Sequence, residues 1–256
     1  MALVERSANT KVTSVTSTRN VTIIFDHRSP PFNDVRVRQA LNYAVDKESI
    51  KRNILGGLGL IQATASHPST FGHNPNVQPY PYDPQKAKQL LTQAGYPNGF
   101  ETDFGHPTGR WVKDVEIAQA IAGMLEKVGV RTRLHTGEYN GWFSNWAKGS
   151  HKGMSMIGTL SQIDADRTVF IFMHSKKGTY LPNTPMDPKL DALYEQAQVM
   201  DPTEREKRLR ELETYVHDQA PWLFLHFQPS LYGANRKLVW EAPANERLIM
   251  HGADLP

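Results

Sequence analysis

One stretch constrains this chain more than any other: Pro30-Pro31-Phe32-Asn33-Asp34-Val35-Arg36-Val37-Arg38-Gln39-Ala40-Leu41-Asn42-Tyr43-Ala44-Val45-Asp46. A proline pair halts an extended segment, because neither residue offers a backbone N–H and each restricts the residue before it. Asn33 or Asp34 then offers an oxygen to the free amides of a new helix. Val35, Leu41, Ala44 and Val45 fall on one apolar stripe, with Arg36, Arg38 and Gln39 mostly off it. The pattern predicts a capped amphipathic helix from about Asp34 to Leu55, stopped by Gly56-Gly57.

The same logic extends along the chain. Val21 to Phe25 is a β-branched run and reads as a strand. Residues 58–82 carry Pro68, Pro75, Pro79 and Pro81 and read as an irregular surface excursion. A short helix follows with Asp83 as cap, Pro84 in the first position and Gly95 at the left-handed exit. Phe100 to His106 reads as a strand and Pro107-Thr108-Gly109 as a turn. Val112, Val115, Ala118, Ile121, Ala122, Leu125 and Val128 repeat at helical spacing up to Gly129. Val130 to Thr136 is the next strand, so strand, helix and strand form the crossover unit of an α/β sheet. A helix over 138–148, a strand over 154–159, and helices opening at Asp187-Pro188 and Asp201-Pro202 come next, the last with Glu204 completing a capping box. Pro221 to Phe227 reads as a buried strand.

Composition narrows function. Hydrophobic residues make up 39% and charged residues 21%, enough for a packed core. The net charge is only +3 and Arg19, Arg28, Arg36 and Arg38 are scattered, so no nucleic-acid face is expected. The absence of cysteine excludes disulfides, thiolate metal sites and cysteine nucleophiles. No apolar run approaches the roughly 20 residues of a membrane span. There is no Gly-x-Ser-x-Gly, His-Glu-x-x-His, phosphate loop or dinucleotide fingerprint, so neither enzymatic chemistry nor a cofactor is expected. The ten histidines do not pair at metal-binding helix spacing, and no metal site is expected.

Three groups are candidates for binding. Tyr139, Trp142 or Phe143, and Trp146 lie three to four residues apart on one helix face. They are either core packing or the aromatic wall of a cleft that holds a mixed polar and apolar ligand. His106, Thr108, Arg110 and Trp111 end a predicted strand, where open α/β sheets place their crevice. Arg110 is suited to a carboxylate or phosphate, or else is a solvent-facing arginine at a helix start. Asp164 and Asp166 are paired carboxylates or, as Asp-x-Asp in loops often is, a turn or helix cap.

The segment from Pro30 to Asp46 resembles the signature of the peptide/opine/nickel solute-binding proteins, family 5 of the extracellular solute-binding proteins, which are the capture subunits of ABC importers. Tyr82-Asp83-Pro84-Gln85-Lys86-Ala87 through Ala94-Gly95-Tyr96-Pro97-Asn98-Gly99-Phe100 resembles a second motif of that family. The resemblance covers roughly Thr22 to Lys237. It implies an α/β, periplasmic-binding-protein-like II fold, a two-lobed clamp of which this chain is the C-terminal lobe. It further implies a lead-in and interlobe strand over 1–30, the lobe itself over 31–228, and a return segment over 229–256 toward a first lobe. Partners would be a peptide or other small polar solute, a permease and an ATPase. The location would be periplasmic, or extracellular and membrane-anchored. Family members are exported and longer, and the signature opens their second half. Met1 to Thr10 is polar and lacks the apolar segment of a signal peptide, so the expectation is that this chain is a C-terminal portion. An α/β hydrolase-like enzyme and a sensory or chaperone-like module on the same fold are the alternatives.

The resemblance also bears on specificity. In peptide carriers of this family a Trp or Tyr near Tyr139 borders the ligand. Their Gly-Trp-x-x-Asp-Tyr-x-Asp-Pro motif uses its first Asp to hold the ligand's α-ammonium. Here the segment reads Gly158-Thr159-Leu160-Ser161-Gln162-Ile163-Asp164-Ala165-Asp166. Gly158 and Asp164 match, Thr159 stands at the Trp position, and the amine-binding Asp falls near Ser161 or Gln162. Loss of that carboxylate leaves a buried ammonium without its partner. A solute other than a peptide held by its free amino terminus, or an amine held by Asp164 or Asp166, is what the segment implies.

Overall fold

The structure is a computed structural model and describes residues 4, 6–160, 164–179 and 187–254. Its strands are β1 (Thr10–Phe25), β2 (Leu60–Ile61), β3 (Phe100–Pro107), β4 (Val130–Gly137), β5 (Met154–Leu160) and β6 (Trp222–Asn235). They form one sheet in the order β2-β6-β1-β5-β3-β4. β3 runs parallel to β4 and to β5, whereas β1 is antiparallel to both β5 and β6. The helices are α1 (Val35–Ala44), α2 (Lys47–Asn53), α3 (Pro84–Gln93), α4 (Asp114–Glu126), α5 (Tyr139–Ala147), α6 (Ala165–Phe172), α7 (Pro188–Gln196) and α8 (Pro202–Gln219). The core lies between sheet and helices and includes Ile23, Phe25, Leu41, Phe104, Ile121 and Phe224.

Local chemistry explains most element boundaries. Asp34, Asp83, Asp187 and Asp201 cap α1, α3, α7 and α8 through their side chains. Proline takes an early position in α3, α7 and α8, where its missing N–H is harmless. Gly95 and Gly129, with φ of 91° and 90°, close α3 and α4 in a conformation that side chains resist. Glu204, the expected second half of a capping box, instead meets Arg208 at 2.7 Å.

The helix expected over residues 34–55 is broken in two. Val45 is extended, and Asp46 caps α2 by accepting from the Ser49 amide at 2.8 Å. A short acidic side chain that can satisfy a downstream amide ends one helix and starts the next. Arg38 also departs from its expected solvent face. It is buried, and its guanidinium donates to the carbonyls of Phe32 (2.9 Å), Gln219 (2.8 and 3.1 Å) and Ala220 (3.2 Å). A cation here answers the unpaired carbonyls at the C-terminus of α8. Burial lowers its pKa only to about 10, so it stays charged at neutral pH.

Residues 58–82 are irregular as expected, yet much of the segment is packed rather than superficial. Thr64 and Ser66 donate to the buried Glu213 carboxylate, and Asn74 reaches Arg210 O and Thr214 Oγ1 on α8. Strands β1 and β6 are far longer than the runs their β-branched and aromatic residues mark. Beyond the sheet they continue as a two-stranded ribbon in which Thr10–Thr16 pairs with Pro229–Asn235. The pairing shifts between Thr16 and Asn20, where Thr18 N donates to Ala244 O of the C-terminal segment at 2.9 Å. At the other end of the sheet the edge strand β4 presents Arg131 and Arg133 to Glu101 and Asp103 of β3.

Two outcomes follow from this packing. Replacing Arg38 with Met removes the donor to the buried carbonyls of Phe32 and Ala220 and to the half-buried carbonyl of Gln219, and is expected to cost about 3 kcal/mol in urea unfolding. His226 lies buried on β6 with neither ring nitrogen bonded among the described residues, and desolvation lowers its pKa to about 4. Below about pH 6.5 the unfolded chain takes up this proton while the folded chain does not. Stability is therefore full above that pH, falls as pH drops toward about 4, and levels off below it. A His226→Leu variant, compared by chemical denaturation across that range, is expected to lose less stability than the parent, by up to about 3 kcal/mol.

Candidate ligand-binding cleft

The parallel strands β3, β4 and β5 end on one side of the sheet, at Pro107, Gly137 and Leu160. The loop that leaves β3 is built around Asp114. One carboxylate oxygen accepts from Gly109 N (3.1 Å) and Val115 N (3.0 Å), and the other accepts from Arg110 N (2.8 Å) and Trp111 N (3.1 Å). A buried carboxylate with four amide donors fixes the backbone of the residues that enter the cleft. It holds Arg110 with its guanidinium 4.7 Å from the center of the Tyr139 ring, within cation–π range. No side-chain acceptor for Arg110 is present among the described residues.

Trp111 packs its indole on Gly158 of β5. A Cβ at position 158 would sit 2.2 Å from the indole nitrogen, so only glycine fits. Trp111 also meets the Tyr139 ring edge-on, and Tyr139 stacks on Phe143 at 5.5 Å. Helix α5, which carries both, is capped by Glu138 through the amides of Asn140 and Gly141. Together with Arg19, Thr159, Leu160 and residues of α6, Tyr139 and Phe143 line a cavity of about 260 Å³. Thr159 turns its hydroxyl and amide to Asn20 Oδ1, both at 3.1 Å.

The candidates from sequence divide accordingly. Tyr139 lines the cavity and Arg110 stacks on it. Trp142 and Trp146 are 5% and 1% exposed and stack on each other in the core. His106 is buried within β3 and donates from Nδ1 to Pro107 O. Thr108 bonds to the Thr136 hydroxyl at the end of the sheet. Ser161 and Gln162 lie outside the described residues. Asp164 occupies the cap position of α6 without capping it, and its carboxylate is held by Arg205 at 2.9 Å. The same guanidinium reaches Asp166 at 3.1 Å, and Gln198 adds a bond to Asp166 at 2.8 Å. Among the described residues no group of three or more His, Asp or Glu side chains converges to hold a metal.

Sequence reasoning missed Asp114 and Arg19, and it placed Trp111 at the end of β3 without its contact to Gly158. Arg19 comes from β1 and donates through Nε to Glu246 Oε2 at 2.7 Å. Ser17 Oγ and Gln228 Nε2 both donate to Glu246 Oε1 at 2.9 Å. Burial works against the Glu246 charge, and the bonds from Gln228, Arg19 and Ser17 outweigh it, so its pKa lies below the ordinary value.

Because one carboxylate organizes the whole β3–α4 turn, Asp114→Ala is expected to cost about 3 kcal/mol in chemical denaturation. Asp114→Asn, which keeps one acceptor oxygen, is expected to fall between that variant and the parent.

Residues 1–180 match the model of bacterial extracellular solute-binding proteins, family 5 Middle. Heme-binding protein A of Haemophilus influenzae is 34% identical over 216 residues, which are 78% of this chain and 38% of that protein. The dipeptide-binding protein of Escherichia coli is 30% identical over 213 residues, 78% of this chain and 39% of its own length. Among solved structures, HbpA2 from Haemophilus parasuis has a TM-score of 0.85 at 25% identity, covering 100% of this chain and 52% of the other. The ABC transporter-associated periplasmic binding protein DppA from Helicobacter pylori, in complex with the peptide STSA, has a TM-score of 0.84 at 25% identity, with 93% and 47% covered. This chain thus spans less than half the length of these two curated relatives. The fold is that of the periplasmic binding proteins of this type, and with 180 of its 256 residues matched by the family model the chain belongs to the bacterial extracellular solute-binding proteins, family 5.

Proposed function

We propose that this chain is the C-terminal lobe of the substrate-binding component of an ABC importer. It captures a peptide-like or other small polar solute against a first lobe and delivers it to a membrane permease driven by an ATPase, in the periplasm or at the outer face of the cell membrane. Residues 31–228 form the lobe. Residues 1–30 and 229–256 lead to the first lobe through the ribbon of Thr10–Thr16 and Pro229–Asn235, while Asn20–Phe25 of β1 is built into the sheet of the lobe itself. The work is capture without chemical transformation, because no nucleophile and base converge in the cleft among the described residues.

The observation that carries this reading is the cleft at the carboxyl ends of β3, β4 and β5, where Arg110 lies on Tyr139 beside Phe143. An aromatic floor with a cation on it holds the apolar body of a solute and its acidic group together. Closure of a second lobe would remove water and strengthen both contacts. A peptide-binding relative and peptide-bound structural neighbors support the solute class.

Half a clamp has half a site. In titration calorimetry with peptides, the 256-residue chain is expected to bind at least about 100-fold more weakly than the same chain joined to a family 5 first lobe. In the joined protein, Tyr139→Ala and Arg110→Gln are each expected to weaken binding by about ten-fold or more. Tight binding by the chain alone would refute the half-site reading, and no binding by the joined protein would refute capture.

A further inference from the structure

The cleft holds a charge arrangement that its capture role does not require. Arg19 lines the cavity next to Thr159 and Leu160, and its side chain is 13% exposed. Only Nε is engaged, by Glu246, and the other guanidinium N–H groups have no partner among the described residues. Those donors are not buried away from solvent, so they are open to an acceptor that enters the cavity. Asp164 and Asp166 do not serve it, since both are tied to Arg205. Arg110 adds a second cation without an acidic side-chain partner. Among the described residues the cavity lining therefore offers one cation, Arg19, and no carboxylate, with Arg110 close by on the Tyr139 ring.

Glu246 is delivered in an unusual way. It comes from the irregular C-terminal segment, with φ of 60°, a backbone conformation that a side chain resists. Leu248, Ile249 and Met250 beyond it are exposed, so little apolar packing holds this stretch down. Gln228 joins the two sides of the arrangement. Its amide nitrogen donates to Glu246, while its oxygen accepts from Val112 N in the loop that carries Arg110, at 3.4 Å.

We infer that Arg19 is an anion-holding side chain of the cleft, that Glu246 stands where a solute's carboxylate binds, and that the cleft selects acidic solutes over those whose only charge is a free ammonium. This assignment rests on the capture role proposed above. A solute carboxylate competes with Glu246 for Arg19, so the chain's own carboxylate sets a threshold that a weakly acidic or neutral solute does not pass.

The test uses the full 256-residue chain and two probes that differ in charge: N-acetyl-alanyl-alanine, with a carboxylate only, and alanyl-alanine amide, with an ammonium only. Chemical shifts of the Trp111 indole N–H and the Gly158 amide report occupancy in an NMR titration. The acetylated probe is expected to shift these signals at lower concentration than the amide probe. Glu246→Gln, which keeps the shape and frees Arg19, is expected to tighten the acetylated probe by about ten-fold. Arg19→Gln is expected to weaken it by about ten-fold and to abolish the gain from Glu246→Gln. The amide probe should respond to neither substitution. If Arg19→Gln does not fold, Glu246→Gln alone decides: unchanged or weaker binding of the acetylated probe overturns the assignment. Preference for the amide probe overturns it as well, while leaving capture intact. If neither probe moves the cleft signals in the chain or in the two-lobed protein, capture itself falls and the assignment with it.

Discussion

Strand β1 is bonded on both flanks, to β5 on one side and β6 on the other, and every other feature depends on that double pairing. Residues 10–25, 154–160 and 222–235 meet in one sheet although long helical and irregular stretches separate them in the chain. A strand in this position has its backbone donors and acceptors satisfied throughout the sheet and buries side chains on both faces. Ile23, Ile24 and Phe25 accordingly disappear into the core. The same strand sets the direction of β5, so that β3, β4 and β5 end together and their loops face one cleft.

That cleft is shaped by contacts that are local in space and few in number. Asp114 gathers the amides of its turn, Gly158 makes room for the Trp111 indole, and Glu138 starts the helix that brings Tyr139 and Phe143 alongside. None of these three residues brings a charged or aromatic group of its own to the cavity. They fix where such groups sit, which is what a binding site needs before its polar contacts can be selective.

Legibility in the sequence tracked the range of the interaction responsible. The Asp-Pro caps at 83, 187 and 201 were readable because the acceptor and the amides it serves lie within a few residues. The crossover unit from β3 to β4 was readable from helical spacing and a glycine stop. The break at Asp46 was not, since an apolar stripe continues through it while the local cap wins. Arg38 reads as a surface residue until the end of α8, far along the chain, supplies the carbonyls that bury it. The Arg19–Glu246 pair spans nearly the whole chain and leaves no local pattern. Helical spacing put Tyr139, Trp142 and Trp146 on one face, but it carries no information about what covers that face. The structure gives the two tryptophans to the core and Tyr139 to the cavity.

The edge strand β4 shows how the sheet ends without inviting growth. Its outward backbone groups are free to pair with another strand, and Leu134 offers some apolar surface. An incoming strand would have to lie beside Arg131 and Arg133, which pair across the sheet face with Glu101 and Asp103 of β3. Stripping water from that row of charged pairs is unfavorable. The charged pairs thereby disfavor edge-to-edge growth of the sheet at β4.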